Sequence, residues 1–477
     1  MKKGFVLAML VWLGVAAPAQ AQVAAESGGG GMDVSQVDAP LTPQQRQTIQ
    51  AAIDRNRQAL DAAGKRTIDP TADVTLTWPL QASDSLFDLG YHGTINFVDQ
   101  DAAFPGMLED YHCGERTYDQ PSGYNHQGVD YLLWPFPWYK MDHDLVEVVA
   151  AAPGIIIFKQ DGNFDRSCGF SNALWNVVYV EHADGSIAWY GHLKSGTVTA
   201  KRIGETVERG EYLGVVGSSG SSTAPHLHLE IQDANNNLIE PHAGTCNRFN
   251  STSWWETQPE YFDPAVNAVM TGDAAVEFPS CPTQEVPHAR DTFDPGERIY
   301  FTTFYRDQQA TQQSQYAILA PNGVTFTTWT HNINVPHYAV SWWWWSFDIP
   351  AEAPGGQWTF QVDFEGQTYT HPFMLKGVAT AMETAAEWPE GYRLSAAYPN
   401  PFNPSTQVTL ELETDQHVRL AVYDLLGHAV AQLHDGLLTA GERHAFTFEA
   451  GHLPSGVYLL EATGEAFSAT RRVVLLK

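Results

Sequence analysis

Three short segments carry the residues best suited to chemistry: His126-Gln127-Gly128-Val129-Asp130, Tyr190-Gly191-His192-Leu193 and His226-Leu227-His228-Leu229-Glu230. Side chains alternate along an extended strand, so His126 and Asp130 share a face, as do His226, His228 and Glu230, while Leu227, Leu229 and Ile231 turn the other way to supply a core. Two imidazoles and a carboxylate suit zinc, and a catalytic zinc site takes three protein ligands and keeps a fourth position for water. Two histidines and an aspartate from these segments meet that count. One zinc ion per chain there would bring a bound water's pKa towards ~7 and polarise a scissile carbonyl. Two further histidines remain for proton transfer. Helical zinc proteases also space histidines four apart, but the glycine inside HQGVD argues for a strand. A lone HxH or HxxxD is a weak signal. Their combination with the glycine-serine stretch Gly214–Gly220, which leads into Pro225-His226, is far more specific. That stretch lacks the Gly-Lys-Ser/Thr ending of a phosphate loop and precedes a strand, so it reads as a turn.

The elements that must position these residues are mostly strands. From Thr75 to Phe262 short β-branched and aromatic runs alternate with Gly, Pro and Asn turns, the pattern of β structure. Upstream, Thr42-Pro43-Gln44-Gln45 offers an N-cap, a proline at N1 and a glutamine at N3. A helix is predicted from there through Ile49, Ile53 and Leu60 to Gly64, and its mixed polar surface reads as a linker or pro-segment. Two long loops, Tyr131–Asp144 and Asp161–Asn172, are expected to wall a substrate groove, with Trp134 and Trp138 either as cleft-wall aromatics or as loop packing. His143 and His182 are weaker ligand candidates, since His182 falls at a hairpin turn. Further on, Trp342-Trp343-Trp344-Trp345 on a strand puts one pair into a core and leaves the other to cover a neighbouring domain or a glycan.

The chain has 477 residues, room for roughly three domains. A hydrophobic fraction of 43% against 17% charged residues excludes a disordered chain. With 26 Lys and Arg against 55 Asp and Glu, the net charge of -29 repels phosphate backbones and excludes nucleic acid as a partner. Two lysines, an apolar run from Phe5 to Ala17 and Ala19-Gln20-Ala21 mark residues 1–21 as a secretory signal peptide. No later run is long and apolar enough for an integral membrane segment. Export places Cys113, Cys168, Cys246 and Cys281 in an oxidising compartment, where an even count reads as disulfides. The expected pairs are Cys113 with Cys168 and Cys246 with Cys281, because each then closes a local loop.

HQGVD, WYGHL, GETVERGEYLGVVGSSG and APHLHLEI together resemble the lysostaphin-like zinc metalloendopeptidases over residues 75–262. The resemblance implies His126, Asp130 and His228 as zinc ligands, and His192 and His226 as the pair flanking the attacking water. It implies a zinc-dependent hydrolysis of peptide bonds, with peptidoglycan cross-links or glycine-rich peptides as substrate. The alternatives are a non-catalytic surface protein that binds cell wall and a zinc amidase acting on another wall bond. The run Tyr398-Pro399-Asn400-Pro401-Phe402-Asn403-Pro404, followed by VRLAVYDLLGHAV and LPSGVYLLEAT, resembles the sorting domains of the type IX secretion system. That resemblance implies a diderm bacterial source, the type IX machinery as a partner, removal of the domain after export, and a secreted or outer-surface-attached product. The expected fold class is mainly β: an antiparallel β-sheet metallopeptidase domain followed by two small immunoglobulin-like β-sandwiches, with a short N-terminal helix. The expected order is a signal peptide at 1–21, an N-terminal linker and helix at 22–74, the peptidase domain at 75–262, an accessory sandwich at 285–376, a linker at 377–391 and the sorting domain at 392–477.

Overall fold

The computed structural model describes residues 24–32, 34, 36, 37, 41–279, 281 and 285–376, and then 392–395, 397, 400, 402–424, 428–451, 453–464 and 467–475. The expected signal peptide at 1–21 and linker at 377–391 lie outside the described residues. The fold is mainly β, and it divides into two compact units, Met1–Val378 and Ala379–Lys477.

In the first unit an eight-stranded sheet carries all three histidine segments. Its strands are β1 (His92–Asn96), β2 (Val129–Leu133), β3 (Gly154–Gln160), β4 (Val177–Glu181), β5 (Ile187–Gly191), β6 (Thr206–Val207), β7 (His226–Gln232) and β8 (Leu238–Ile239). The order is β1-β2-β7-β5-β4-β3-β6, with β8 paired to β7. β7 therefore lies between the strand that carries Asp130 and the strand that leads into His192. Its register sets His228 opposite Asp130 on one side and opposite Gly191 on the other. A smaller sheet of Tyr212–Val215, Val146–Val149 and Leu80–Ala82 belongs to the same core. Leu227, Leu229 and Ile231 turn into that core against Val129, Val148 and Tyr190, as their alternation with the histidines requires. Burial of each such aliphatic side chain contributes about 1.5–3 kcal/mol, which makes the register costly to shift.

Helix α1 spans Pro43–Ala62 and opens with the expected capping box, Thr42 accepting from the Gln45 amide while the Gln45 side chain accepts from Thr42. It is no detached linker. Ile49, Ile53 and Leu60 are buried against Ile155, Ile157, Val177, Tyr179 and Trp189 of the large sheet. The second face of that sheet is thus apolar too, and a narrow stripe of three aliphatic residues is enough to cover it.

Residues read as accessory form a sandwich of a four-stranded and a five-stranded sheet. It takes in two strands from outside 285–376, Ala265–Gly272 and the glycine-rich Glu26–Gly31. Glu26–Gly31 pairs along the tryptophan run, Gly28 opposite Trp344 and Gly30 opposite Trp342. Trp343 and Trp345 pack on the sandwich core beside His331, Trp329 and Tyr316. Trp342 meets Phe278 and Trp134, and Trp344 lies against Tyr300 and Gly28. The run is used for packing on both faces.

The glycines are what let that edge strand sit down. A Cβ on Gly28 would lie 2.8 Å from the Trp344 ring, one on Gly31 would enter the Tyr338 ring, and one on Gly30 would meet nothing within 4 Å. Gly28→Val and Gly31→Val are each expected to destabilise the first unit by about 1–3 kcal/mol, the range for overpacking, whereas Gly30→Val changes little. Calorimetry of the three variants checks this, and equal melting temperatures would remove the steric account.

The cysteines pair otherwise than expected: Cys113 with Cys246 and Cys168 with Cys281, with Cα atoms 5.2 and 5.6 Å apart. Local loop closure was the wrong guide, because chain folding brings the Tyr111 segment against Gly244 and Cys246 by a backbone hydrogen bond, Cys246 N to Tyr111 O, at 3.0 Å. The second unit is a small sandwich of a three-stranded and a four-stranded sheet around Val408, Leu410, Leu420, Phe448, Leu460 and Val473.

Candidate metal centre and active site

Among the described residues, His126, Asp130 and His228 are the group whose possible ligand atoms converge, all within 4.8 Å of one another, and all three side chains are buried. His126 Nε2 lies 3.1 Å from Asp130 Oδ2, and His228 Nδ1 lies 2.9 Å from Asp130 Oδ1. His126 turns its Nδ1 to the Phe97 carbonyl at 2.8 Å. A carbonyl can only accept, so Nδ1 carries the proton and Nε2 presents its lone pair to the cluster. Two imidazole lone pairs and a carboxylate oxygen, held without exposure to solvent, are a donor set that fits zinc. Gly128 is required by close approach: a Cβ there would stand 2.6 Å from the His228 ring.

His192 and His226 join the same face. Their ring centroids are 4.4 Å apart, and that of His192 is 6.0 Å from that of His228. His192 Nδ1 donates to the Ser219 carbonyl at 2.6 Å, and His226 Nδ1 donates to the Ala224 carbonyl at 2.8 Å. In both rings Nδ1 therefore carries a proton, and Nε2 is the nitrogen left for other work. His192 has φ 62°, a left-handed conformation unusual for a residue with a Cβ. It falls where the chain leaves β5, and the twist points to a placement enforced by the surroundings.

Other expected residues are not part of the cluster. Trp134 is 0% exposed and packs with Phe136, Phe304 and Val340 under the accessory sandwich, so the cleft-wall reading is corrected. Trp138 is likewise buried, with the Arg166 guanidinium over its ring. The reason is the apolar content of Trp134–Trp138, which finds the sandwich rather than solvent. The other long loop does wall a groove: Phe170, Ser171 and Asn172, with Tyr124, Gln127, Ser221 and the start of α1, line a cavity of about 750 Å³. His143 turns to the Tyr139 carbonyl, and His182, buried at the β4–β5 turn, to the Pro153 carbonyl. Neither is a ligand. Asn96 donates to Asp130 Oδ2 at 3.2 Å, next to the group of ligand atoms.

One participant carried no sequence signal. Arg46, from the first turn of α1, sends two hydrogen bonds of 3.0 Å to Glu230. Burial pushes the Glu230 carboxyl up, but Arg46 and the His228 ring outweigh it and hold it at about 2. Leu41, Gln45 and Arg46 also line, with His192 and His228, a second cavity of only about 10 Å³.

Residues 125–241 match the model of peptidase family M23, and residues 396–476 match that of a secretion system C-terminal sorting domain. The chain carries a peptidase family M23 domain. It also carries a type IX sorting domain. The chain is 40% identical over 107 residues to the DD-carboxypeptidase/endopeptidase Mpg of Neisseria meningitidis serogroup B, covering 22% of this chain and 20% of that protein. It is 42% identical over 79 residues to the cell division protein DipM of Caulobacter vibrioides, covering 17% of this chain and 12% of that one. To the peptidoglycan DD-endopeptidase ShyC of Vibrio cholerae serotype O1 it is 36% identical over 71 residues, 15% and 16% of the two chains. The chain thus spans a fifth or less of the length of these curated relatives. All five histidine and aspartate positions of the cluster lie inside the M23 match. Among the described residues, no helix is long and apolar enough to cross a membrane.

Proposed function

We propose that this chain is an exported zinc metalloendopeptidase that hydrolyses peptide bonds in peptidoglycan. His126, Asp130 and His228 would hold one zinc ion per chain. The observation that carries the reading is the convergence of those three buried donors within 4.8 Å inside an M23 match. Zinc at such a site supplies a water whose pKa is near ~7 and a Lewis acid for the scissile carbonyl.

The chain's own residues do the rest. Nε2 of one of His192 and His226 takes the proton of the attacking water and passes it to the leaving amine, while the other ring, which has already taken a proton from solvent on its Nε2, donates it as a hydrogen bond to the developing oxyanion. The Ser219 and Ala224 carbonyls hold both rings by Nδ1–H, which leaves Nε2 of each for this work. Phe170, Ser171, Asn172 and Gln127 line the groove that receives the peptide. The names of the relatives favour cross-link peptides as substrate over glycine-rich proteins. In this reading residues 75–262 are the catalytic domain and 285–376 an accessory sandwich. Residues 392–477 address the chain to the type IX machinery and are removed on export, leaving a secreted or surface-attached enzyme.

The test is metal content of the purified protein together with release of new amino groups from peptidoglycan, with and without a chelator. One zinc per chain and chelator-sensitive release of peptide amino groups is the expected result. Release of the peptide from the sugar instead would make the chain an amidase, and absence of zinc would favour a binding protein.

A further inference from the structure

The helix read from sequence as a linker reaches into the metal centre. Glu230 lies on the same face of β7 as His226 and His228, and its Oε2 is 3.8 Å from His228 Nε2, the ring nitrogen on the side away from Asp130. Its carboxylate is 1% exposed and fully engaged: Oε1 accepts from Arg46 at 3.0 Å and from Gln232 Nε2 at 2.6 Å, and Oε2 accepts from Arg46 at 3.0 Å. The Arg46 guanidinium in turn lies over the Trp189 ring at 5.3 Å. From the Glu230 carboxylate, Arg46 leads back to a helix that is itself fixed by its buried Ile49 and Ile53.

We propose that Glu230 and Arg46 are positioning residues of the zinc site, acting through His228: Arg46 fixes the Glu230 carboxylate against the Nε2 edge of the His228 ring, so that the ring keeps the orientation in which Nδ1 faces the other ligands. A carboxylate behind a ligating histidine fixes the orientation of the ring. A buried carboxylate without its cation would turn away instead. The N-terminal helix is then a working part of the peptidase rather than a removable segment. This inference rests on the zinc reading above.

Its test is zinc affinity, measured by competition with a chromophoric chelator on the full-length protein. Glu230→Gln and Arg46→Met are each expected to weaken zinc binding by about 10–100-fold. Because Arg46→Met strands a buried charge, the double variant Arg46→Met/Glu230→Gln is measured beside it, and Arg46→Lys is expected to recover part of the affinity. Arg57→Met is the control: it removes a second ion pair of the same helix, to Glu181 at 2.7 Å, which has no route to His228. It is expected to leave zinc affinity unchanged. Wild-type affinity in Glu230→Gln and in the double variant would overturn the proposal, as would an equal loss in Arg57→Met. Faster peptide release by Arg46→Met at unchanged zinc affinity would overturn it too and make the helix an obstruction. A wild-type protein that binds no zinc would instead overturn the reading of the site itself.

Discussion

His228→Ala is expected to lose zinc and activity together, whereas His226→Ala is expected to keep zinc and lose turnover. The two residues are neighbours on one face of β7, so a general loosening of the strand would affect them alike. Their surroundings separate them. His228 directs Nδ1 at Asp130 Oδ1 at 2.9 Å, within the ligand cluster, while His226 Nε2 stands 3.9 Å from that oxygen and its Nδ1 is tied to the Ala224 carbonyl. Loss of a metal ligand removes a Lewis acid worth several kcal/mol of transition-state stabilisation, so activity should fall by about 10³-fold or more. Loss of a proton-transfer group alone costs about 10²–10⁴-fold in kcat and spares KM. Zinc content by atomic absorption, read beside single-turnover rates on a cross-linked muropeptide, separates the outcomes. Equal loss of zinc in both variants would end the division of roles.

The shared face of the candidate donors on β7 was legible because strand periodicity is simple. Once HLHLE is read as a strand, alternation puts His226, His228 and Glu230 on one face and Leu227 and Leu229 on the other, whereas His126 lies ahead of β2, which begins at Val129. Sequence could not show that β7 lies between β2 and β5, the pairing that sets His228 opposite both Asp130 and Gly191. Trp134 stayed open between two readings for a related reason. A run of aromatic residues in a loop says that something apolar will cover it, but not whether that is a substrate or a sandwich more than 120 residues further on, where Phe304 and Val340 lie. Arg46 was invisible because its value lies in Glu230, 184 residues away, and a glutamine-rich amphipathic helix with three arginines gives no local mark that singles out one of them. The glycine run at 28–31 fell inside the expected N-terminal linker and helix at 22–74. Its role depends on tryptophan and tyrosine rings that only tertiary pairing brings above it.

The disulfides make the same point, and removing one should have the largest effect on stability. Cys113 and Cys246 are 133 residues apart in sequence, so the bridge restricts a long loop in the unfolded chain. Chain-entropy arguments give about 5 kcal/mol for a loop of that size, an upper value because denatured chains retain structure. A Cys113→Ala/Cys246→Ala variant is therefore expected to be several kcal/mol less stable, with a melting temperature lower by at least about 10 °C on the usual scaling. Its effect on the metal centre should be small, since the bridge secures the stack of Tyr111 on His242 rather than any ligand. Removal of the Cys168–Cys281 bridge, which closes 113 residues, should cost a similar amount of stability but also raise KM, because Cys168 sits in the loop whose Phe170, Ser171 and Asn172 line the groove. Non-reducing peptide mapping decides the pairing first: a fragment holding Cys113 should run joined to one holding Cys246. Linkage of Cys113 to Cys168 instead would restore the local pairing and withdraw both stability predictions, since each short loop would then confer less.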